Sequence, residues 1–300
     1  MERKRIKGKR INVLGTLGLF ITAIIWGSSF PVGKVALLHF SPIFIAMTRY
    51  LLGGTILGIV LNKKIFTITK KEILCGFICG TIFYFASLIQ IIGLKYTEPS
   101  KQSFLAALYV IIVPFLYWMV YKKRPDIYNI AAAVLTLAGI YLLTVRSPGG
   151  FNKGDAITVI SSAFYAVHLT AVGFLVKIMN PITLTFLQTT TAGMIGLAVS
   201  LFVEPLPARF PVEGICAVLY LTIFCTVIAY GLQMTCQKYV SEMKASIILS
   251  LESVVGTLLS VIFLQDTFTI VMFIGCVVIF IGVLVSETKL DIFSRKRKLD

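Results

Sequence analysis

Three side chains stand where a chain normally avoids charge. Glu252, His168 and Arg49 each lie inside a long apolar run. Glu252 is the eighth residue of its run, roughly 12 Å deep at about 1.5 Å per helical residue, and the only acid inside any of these runs. A charge at such depth costs about 2.5–3.5 kcal/mol on insertion scales, so it must face protein or water. There it can carry a proton or grip a cationic group. It can equally tie its helix to a neighbour by a structural hydrogen bond. His168 is the thirteenth residue of its run. Imidazole titrates near neutral pH, which suits a proton relay or a ligand contact. The plainer alternative is a buried neutral ring bonded to a carbonyl. These two are the proton-coupling candidates. The guanidinium fork of Arg49 matches a substrate carboxylate. It can also snorkel or cap a helix C-terminus, and the structural role is favoured. Trp26, Tyr84, Tyr109 and Tyr165 are aromatic candidates for the wall of an amphipathic cavity, although such rings mostly pack or anchor at interfaces.

This set is too sparse for an enzyme. No paired aspartates, histidine cluster or nucleophile–base pair accompanies it, and the second histidine, His39, falls in a loop. No GxxxxGK[ST] phosphate loop is present, so ATP hydrolysis is not expected. The six cysteines form no CxxC pair and have no histidine at ligand spacing, so neither a disulfide framework nor a metal site is expected. No cofactor is implied.

The elements that position these residues follow from composition. Of 300 residues 57% are hydrophobic and 14% charged, against roughly 25% charged in soluble domains. Mean hydropathy is +0.92. So little polar surface cannot coat a soluble fold. A bilayer core of ~30 Å needs about 20 helical residues. Eight windows free of Asp, Glu, Lys and Arg satisfy this: 11–33, 73–94, 102–121, 127–145, 156–176, 178–203, 214–237 and 267–286. Two more, 35–62 and 245–265, carry only Arg49 and Glu252. A barrel would alternate apolar and polar residues, and these runs do not. The expectation is an all-α polytopic membrane protein of ten transmembrane helices. The basic N-terminus precedes a run too long for a signal peptide and is read as leading into an uncleaved first helix.

Lysine and arginine set the orientation. With a cytoplasmic N-terminus and ten crossings, 21 of 28 fall on the cytoplasmic side and six outside. Both termini are therefore expected in the cytoplasm. The net charge of +15 then reflects topology and attraction to anionic lipid, with no nucleic-acid partner.

The chain also aligns with itself at an offset of 143 residues. Between 86–143 and 229–286, 11 of 58 positions are identical, and the polar landmarks keep their order: Gln90/Gln233, Lys95-Tyr96/Lys238-Tyr239, Lys101/Lys244 and Ser103/Ser246. Gln90 and Gln233, near opposite faces, become candidates for lining two vestibules or, equally, for a structural network between helices. Tyr109 occupies the repeat position of Glu252. Halves 1–150 and 151–300 would hold five helices each. An odd number inverts the second copy, a common design of secondary transporters.

The segments Trp26-Gly27-Ser28-Ser29-Phe30, Arg49 beyond Phe44, Gln90 to Thr97, Ser100-Lys101, Phe164 to His168, Gln237 to Ser241 and Leu249-Ser250-Leu251-Glu252 resemble the drug/metabolite transporter superfamily, in particular its ten-helix EamA-type exporters with two inverted five-helix repeats. The resemblance covers nearly the whole chain. It implies export of amino acids, related metabolites or drug-like amphiphiles. In the family a proline usually follows the glutamate of the ninth helix. Ser253 stands there instead, which puts the bend of that helix in question. The family also often ends its fourth and ninth helices with Gly-Glu, unlike Tyr121-Lys122-Lys123 and Gln265-Asp266 here. The expected function is a secondary transporter in the cell membrane. Its partners would be a small-molecule substrate, the lipid bilayer and, as a candidate, protons. Uptake or facilitated exchange is the alternative, with an intramembrane enzyme or a non-transporting receptor as remote ones. Direction, substrate and oligomeric state are not legible.

Overall fold

A computed structural model describes residues 2–122, 124–145, 151–265 and 269–288. Lys123, Arg146, Asp266 and the tail from 289 lie outside the described residues. Thirteen α-helices carry the described chain, and no strand occurs among the described residues. They are α1 (Glu2–His39), α2 (Pro42–Leu61), α3 (Lys70–Tyr96), α4 (Pro99–Ala106), α5 (Tyr109–Tyr121), α6 (Ile127–Val145), α7 (Lys153–Leu175), α8 (Pro181–Val203), α9 (Val212–Thr222), α10 (Ala229–Gln237), α11 (Glu242–Leu249), α12 (Glu252–Leu264) and α13 (Ile270–Thr288). A 3-10 turn, Asn62–Thr67, follows α2, and a π-helical turn, Ile223–Ile228, joins α9 to α10.

These make ten crossings. Eight helical stretches are long and apolar enough to span a bilayer, with α4–α5, α9–α10 and α11–α12 each counting as one. α6 and α13, at 19 residues each, reach roughly 28 Å. Large apolar side chains such as Ile59, Phe202, Ile262 and Phe263 point outward, as a lipid-facing surface requires. Polar residues start the helices. Ser41 caps α2 ahead of Pro42. Thr69–Glu72 and Asn152–Asp155 form capping boxes on α3 and α7.

The boundaries of α4, α5, α6 recur in α11, α12, α13 at an offset of 143 residues. So do two C-caps in the left-handed region, Lys122 (φ 54°) and Gln265 (φ 57°), a conformation that costs non-glycine residues roughly 1–2 kcal/mol. Contacts recur as well. A Cβ on Gly139 would meet the Gly275 carbonyl and Ile279, and one on Gly282 would meet the Ala132 carbonyl and Thr136. Since 132, 136 and 139 correspond to 275, 279 and 282, this contact reads the same from either helix.

The question over the ninth crossing is answered without proline. The chain steps from α11 to α12 at Ser250-Leu251 through i→i−3 bonds, Leu251 N to Ile248 O and Ser253 N to Ser250 O. Ser246, Ser250 and Ser253 each turn their hydroxyl back to the carbonyl three residues earlier, which tightens the local turn. The fourth crossing breaks at the equivalent place, Ala107-Leu108, with Ala107 N to Phe104 O and Ser103 Oγ to Ser100 O.

Candidate functional site

The two breaks place Tyr109 and Glu252 at the first positions of α5 and α12, and there they meet. The Tyr109 hydroxyl donates to Glu252 Oε1 at 3.2 Å, across 143 residues of sequence. Glu252 is 6% exposed, and no cation lies within salt-bridge range of it among the described residues. Gly27 lets α1 pass directly beside it, because a Cβ there would sit 2.9 Å from the Glu252 carbonyl. The neighbouring Trp26 faces inward and donates its indole N–H to the Cys225 carbonyl at 3.1 Å.

That carbonyl belongs to the π-helical turn. One extra residue per turn releases backbone groups from the regular ladder. Thr226 Oγ1 donates to the Leu221 carbonyl at 2.9 Å, and Cys225 O accepts from side chains. Arg49 uses both groups: Nε donates to Thr226 Oγ1 at 2.6 Å and Nη2 to Cys225 O at 3.2 Å. Arg49 is buried and has no acidic partner within 4 Å among the described residues. It therefore does not snorkel.

These residues enclose a cavity of about 40 Å³ lined by Trp26, Ser29, Phe30, Arg49, Gln90, Ala106, Tyr109, Tyr165, Tyr230 and Glu252. Two smaller cavities, about 20 Å³ each, continue it in opposite directions. One runs past Arg49 and Gln90 to Leu94 and Gln102. The other passes Tyr165 and Tyr230 to His168, Gln233 and Leu249. A water needs roughly 10–15 Å³ of such space, whereas small-molecule sites take about 300–1,000 Å³. This conformer is closed around its centre.

Rings pack the cavity wall. Trp26 and Tyr230 lie 4.7 Å apart between centroids, Phe83 and Tyr230 4.6 Å, and Phe83 stacks on His168 at 5.1 Å. The Tyr165 hydroxyl donates to Gln90 Oε1 at 3.1 Å. His168 Nε2 sits 2.8 Å from Gln188 Oε1. Gln233 donates to Gln237 at 3.0 Å, and its own carbonyl oxygen is buried without a partner among the described residues.

Beyond this string of cavities, toward the two ends of α7, lie two buried acids. At one end Lys101 Nζ meets Asp155 Oδ2 at 2.5 Å, with the two side chains 3% and 0% exposed. Thr97 Oγ1 donates to Asp155 Oδ1 at 2.7 Å and the Asn152 backbone N–H to Oδ2 at 2.7 Å. Lys34 Nζ donates to the Leu94 and Thr97 carbonyls. At the other end Lys177 Nζ meets Glu242 Oε1 at 2.8 Å, and the Tyr121 hydroxyl donates to the same oxygen at 2.8 Å. Glu242 is fully buried, and its Oε2 has no partner among the described residues. Burial opposes the Lys177 charge, but the hydrogen bonds to Glu242 and Tyr121 prevail and raise its pKa above the ordinary lysine value. Asp155 and Lys177 flank α7, 22 residues apart, or roughly 33 Å. Tyr165 and His168 stand between them, near mid-helix.

Of the residues singled out in the sequence, Trp26, Arg49, Gln90, Tyr109, Tyr165 and Glu252 share the central cavity, and His168 and Gln233 line its extension. Tyr84 is elsewhere. It packs against Met47 and Gly196, with its hydroxyl buried and unpartnered among the described residues. Position along an all-apolar helix does not mark its inner face. The expectation that Glu252 is the only acid within a span also needs correction. The crossings begin at Lys70, Lys153, Val212 and Glu242, so Glu72, Asp155, Glu213 and Glu242 lie inside their ends, beyond windows cut at charged residues, and of these Asp155 and Glu242 are buried. The Asn152–Asp155 capping spacing was a usable signal for Asp155. Tyr230 was missed too, though it precedes Gln233 by one helical turn and shares its face. Cys225 and Thr226 carried no signal. Among the described residues no group of three His, Cys, Asp or Glu is placed to hold a metal ion.

The helical crossings, the discontinuous helices and the closed central cavity define a polytopic membrane protein. The chain belongs to the EamA-like transporter family, whose pattern matches it twice, over residues 13–145 and 152–288. It is 30% identical over 271 residues to an uncharacterized transporter of Archaeoglobus fulgidus, covering 90% of this chain and 84% of that one. It is 25% identical over 231 residues to the S-adenosylmethionine/S-adenosylhomocysteine transporter of Chlamydia muridarum, covering 71% and 73%. The uncharacterized inner membrane transporter YicL of Salmonella typhimurium is 26% identical over 299 residues, covering 94% and 97%. One solved crystal structure shares the fold, with a TM-score of 0.74 and 18% identity over 91% of this chain and 96% of that one.

Proposed function

We propose that the chain exports small amphiphilic metabolites across the cell membrane by alternating access, coupled to protons through Glu252. Its units, 1–150 and 151–300, are five-helix repeats inserted in opposite senses, with both termini cytoplasmic. The observation that carries this reading is the hydrogen bond between the repeat mates Tyr109 and Glu252. Repeat mates touch only near the axis that relates the repeats, and an inverted pair keeps that axis in the membrane plane, where alternating-access transporters bind substrate. The recurring helix boundaries, the reciprocal Gly139/Gly282 contact and the doubled family match support the same division.

The substrate class follows from the lining. Arg49 offers a guanidinium to a carboxylate, Glu252 an acceptor to an ammonium, and Trp26, Tyr165 and Tyr230 offer ring faces to an apolar body. Amino acids and related metabolites fit, as do cationic amphiphiles. The two substrates in the name of the Chlamydia relative are themselves amino acids, bearing an aromatic adenosyl extension. The Lys101–Asp155 cluster closes the outer end and the Lys177–Glu242 cluster the inner end. Opening either admits substrate to a centre that must widen to hold it.

The test is flux in proteoliposomes over a panel of amino acids, organic acids, nucleosides and cationic drugs, with and without an imposed pH gradient. Saturable flux of one class, driven by the gradient and uncoupled in Glu252→Gln, is the expected result. Flux that ignores the gradient would instead make the protein a facilitated exchanger with a structural Glu252. Cysteines placed at Lys95 and Lys238 should be labelled from opposite faces, and same-face labelling overturns the inverted arrangement.

A further inference from the structure

Away from the central cavity, a groove of about 440 Å³ lies between α5 and α6. Its walls are apolar: Pro114, Phe115 and Trp118 from α5, with Val134 and Leu137 from α6. Pro114 lies within α5 and cannot continue the helical ladder there. Phe115, Trp118 and Val134 are 63%, 46% and 60% exposed, so the groove opens sideways, toward lipid rather than toward the pathway. Arg124 lines its mouth and is itself exposed, as is the neighbouring Lys122.

The groove has the dimensions of one leaflet. From Arg124 at the helix connection, its α6 wall extends to Leu137, ten residues beyond the first residue of α6, or roughly 15 Å. That is half of a ~30 Å hydrocarbon core. An apolar slot of that depth under a cationic rim complements an acyl chain below a phosphate. The sequence carries no basic residue at the repeat position, where Gln265 replaces Lys122 and Thr267 replaces Arg124, with Asp266 between them.

We infer that this groove is a binding site for an anionic phospholipid, its acyl chain against Pro114, Trp118 and Val134 and its headgroup phosphate on Arg124 and Lys122. The transport reading above contributes only the name of the leaflet, the inner one. The site is distinct from the substrate pathway, and its occupant enters from the membrane.

The experiment offers detergent-purified full-length protein an equal mixture of phosphatidylglycerol and phosphatidylcholine with identical chains. Retained lipid is counted by native mass spectrometry. The wild-type protein should retain phosphatidylglycerol several-fold over phosphatidylcholine. Lys122→Gln with Arg124→Gln should lower that retention by roughly 25-fold, since each basic residue near an anionic surface is worth about a factor of five. Arg124→Lys should keep most of it. Val134→Trp, which fills the slot and leaves the rim intact, should also lose the lipid. Equal retention of both lipids by the wild type overturns the inference. So does unchanged retention in the double variant or in Val134→Trp, each checked for monodisperse elution and an unaltered Tm.

Discussion

Asp155 and Glu242 are both fully buried acids in the first turn of a helix, and each faces a lysine. Their surroundings differ. Asp155 has partners on both oxygens: Lys101 and the Asn152 N–H on one, and Thr97 on the other. Its lysine is buried as well. Glu242 crowds Lys177 and Tyr121 onto one oxygen and leaves the other with none among the described residues. Lys177 is 42% exposed on its side chain. A buried ion pair is held by how completely its hydrogen-bonding capacity is met. In the proposed orientation the outer closure is therefore the stronger, and the inner one releases first. A protein so built opens more readily toward the cytoplasm. An exporter needs that bias in order to load.

The largest test removes one partner from the stronger closure. Lys101→Met leaves Asp155 buried without its cation, which costs about 3–5 kcal/mol. It should lower Tm in detergent sharply and expose a cysteine at Gln102 to an impermeant maleimide from outside. Pairing it with Asp155→Leu should recover much of the stability. Glu242→Gln should cost less, about 1–2 kcal/mol, because the lost pair is half open to water. It should favour labelling at Gln233 from the cytoplasmic face. Equal losses of Tm in the two variants would erase the difference between the closures. Tyr109→Phe should cost roughly 0.5–1.5 kcal/mol for one hydrogen bond and shift the pH dependence of flux, since Glu252 loses the one side-chain donor it has among the described residues. Tyr84→Phe is the smallest. Its hydroxyl is buried without a partner among the described residues, so removal should leave flux unchanged and Tm equal or slightly higher.

What sequence reading supplied, and what it lacked, divides along a physical line. Apolar run length gave the ten crossings, because the bilayer fixes it. Residues costly in lipid, Arg49, His168 and Glu252, had to face inward, and the structure places all three beside the cavities. The rings were harder. In an all-apolar helix nothing distinguishes Tyr165, which lines the cavity, from Tyr84, which does not. The π-helical turn at 223–228 was invisible, since its sequence, Ile-Phe-Cys-Thr-Val-Ile, contains neither glycine nor proline. The corresponding stretch of α3 is regular helix. That single added residue per turn gives Arg49 its carbonyl and makes the two repeats chemically unlike at the centre. Asp155 and Glu242 were hidden by the habit of ending a span at its first charge.

The reciprocal packing of Gly139 and Gly282 has a consequence for how the molecule comes together. A seam that looks the same from both sides does not require a continuous chain. Residues 1–150 and 151–300, made as separate polypeptides, should find each other in the bilayer and restore transport. Bulky side chains at both glycines should prevent that reunion far more than they disturb the covalently joined protein, where tethering holds the partners at high effective concentration.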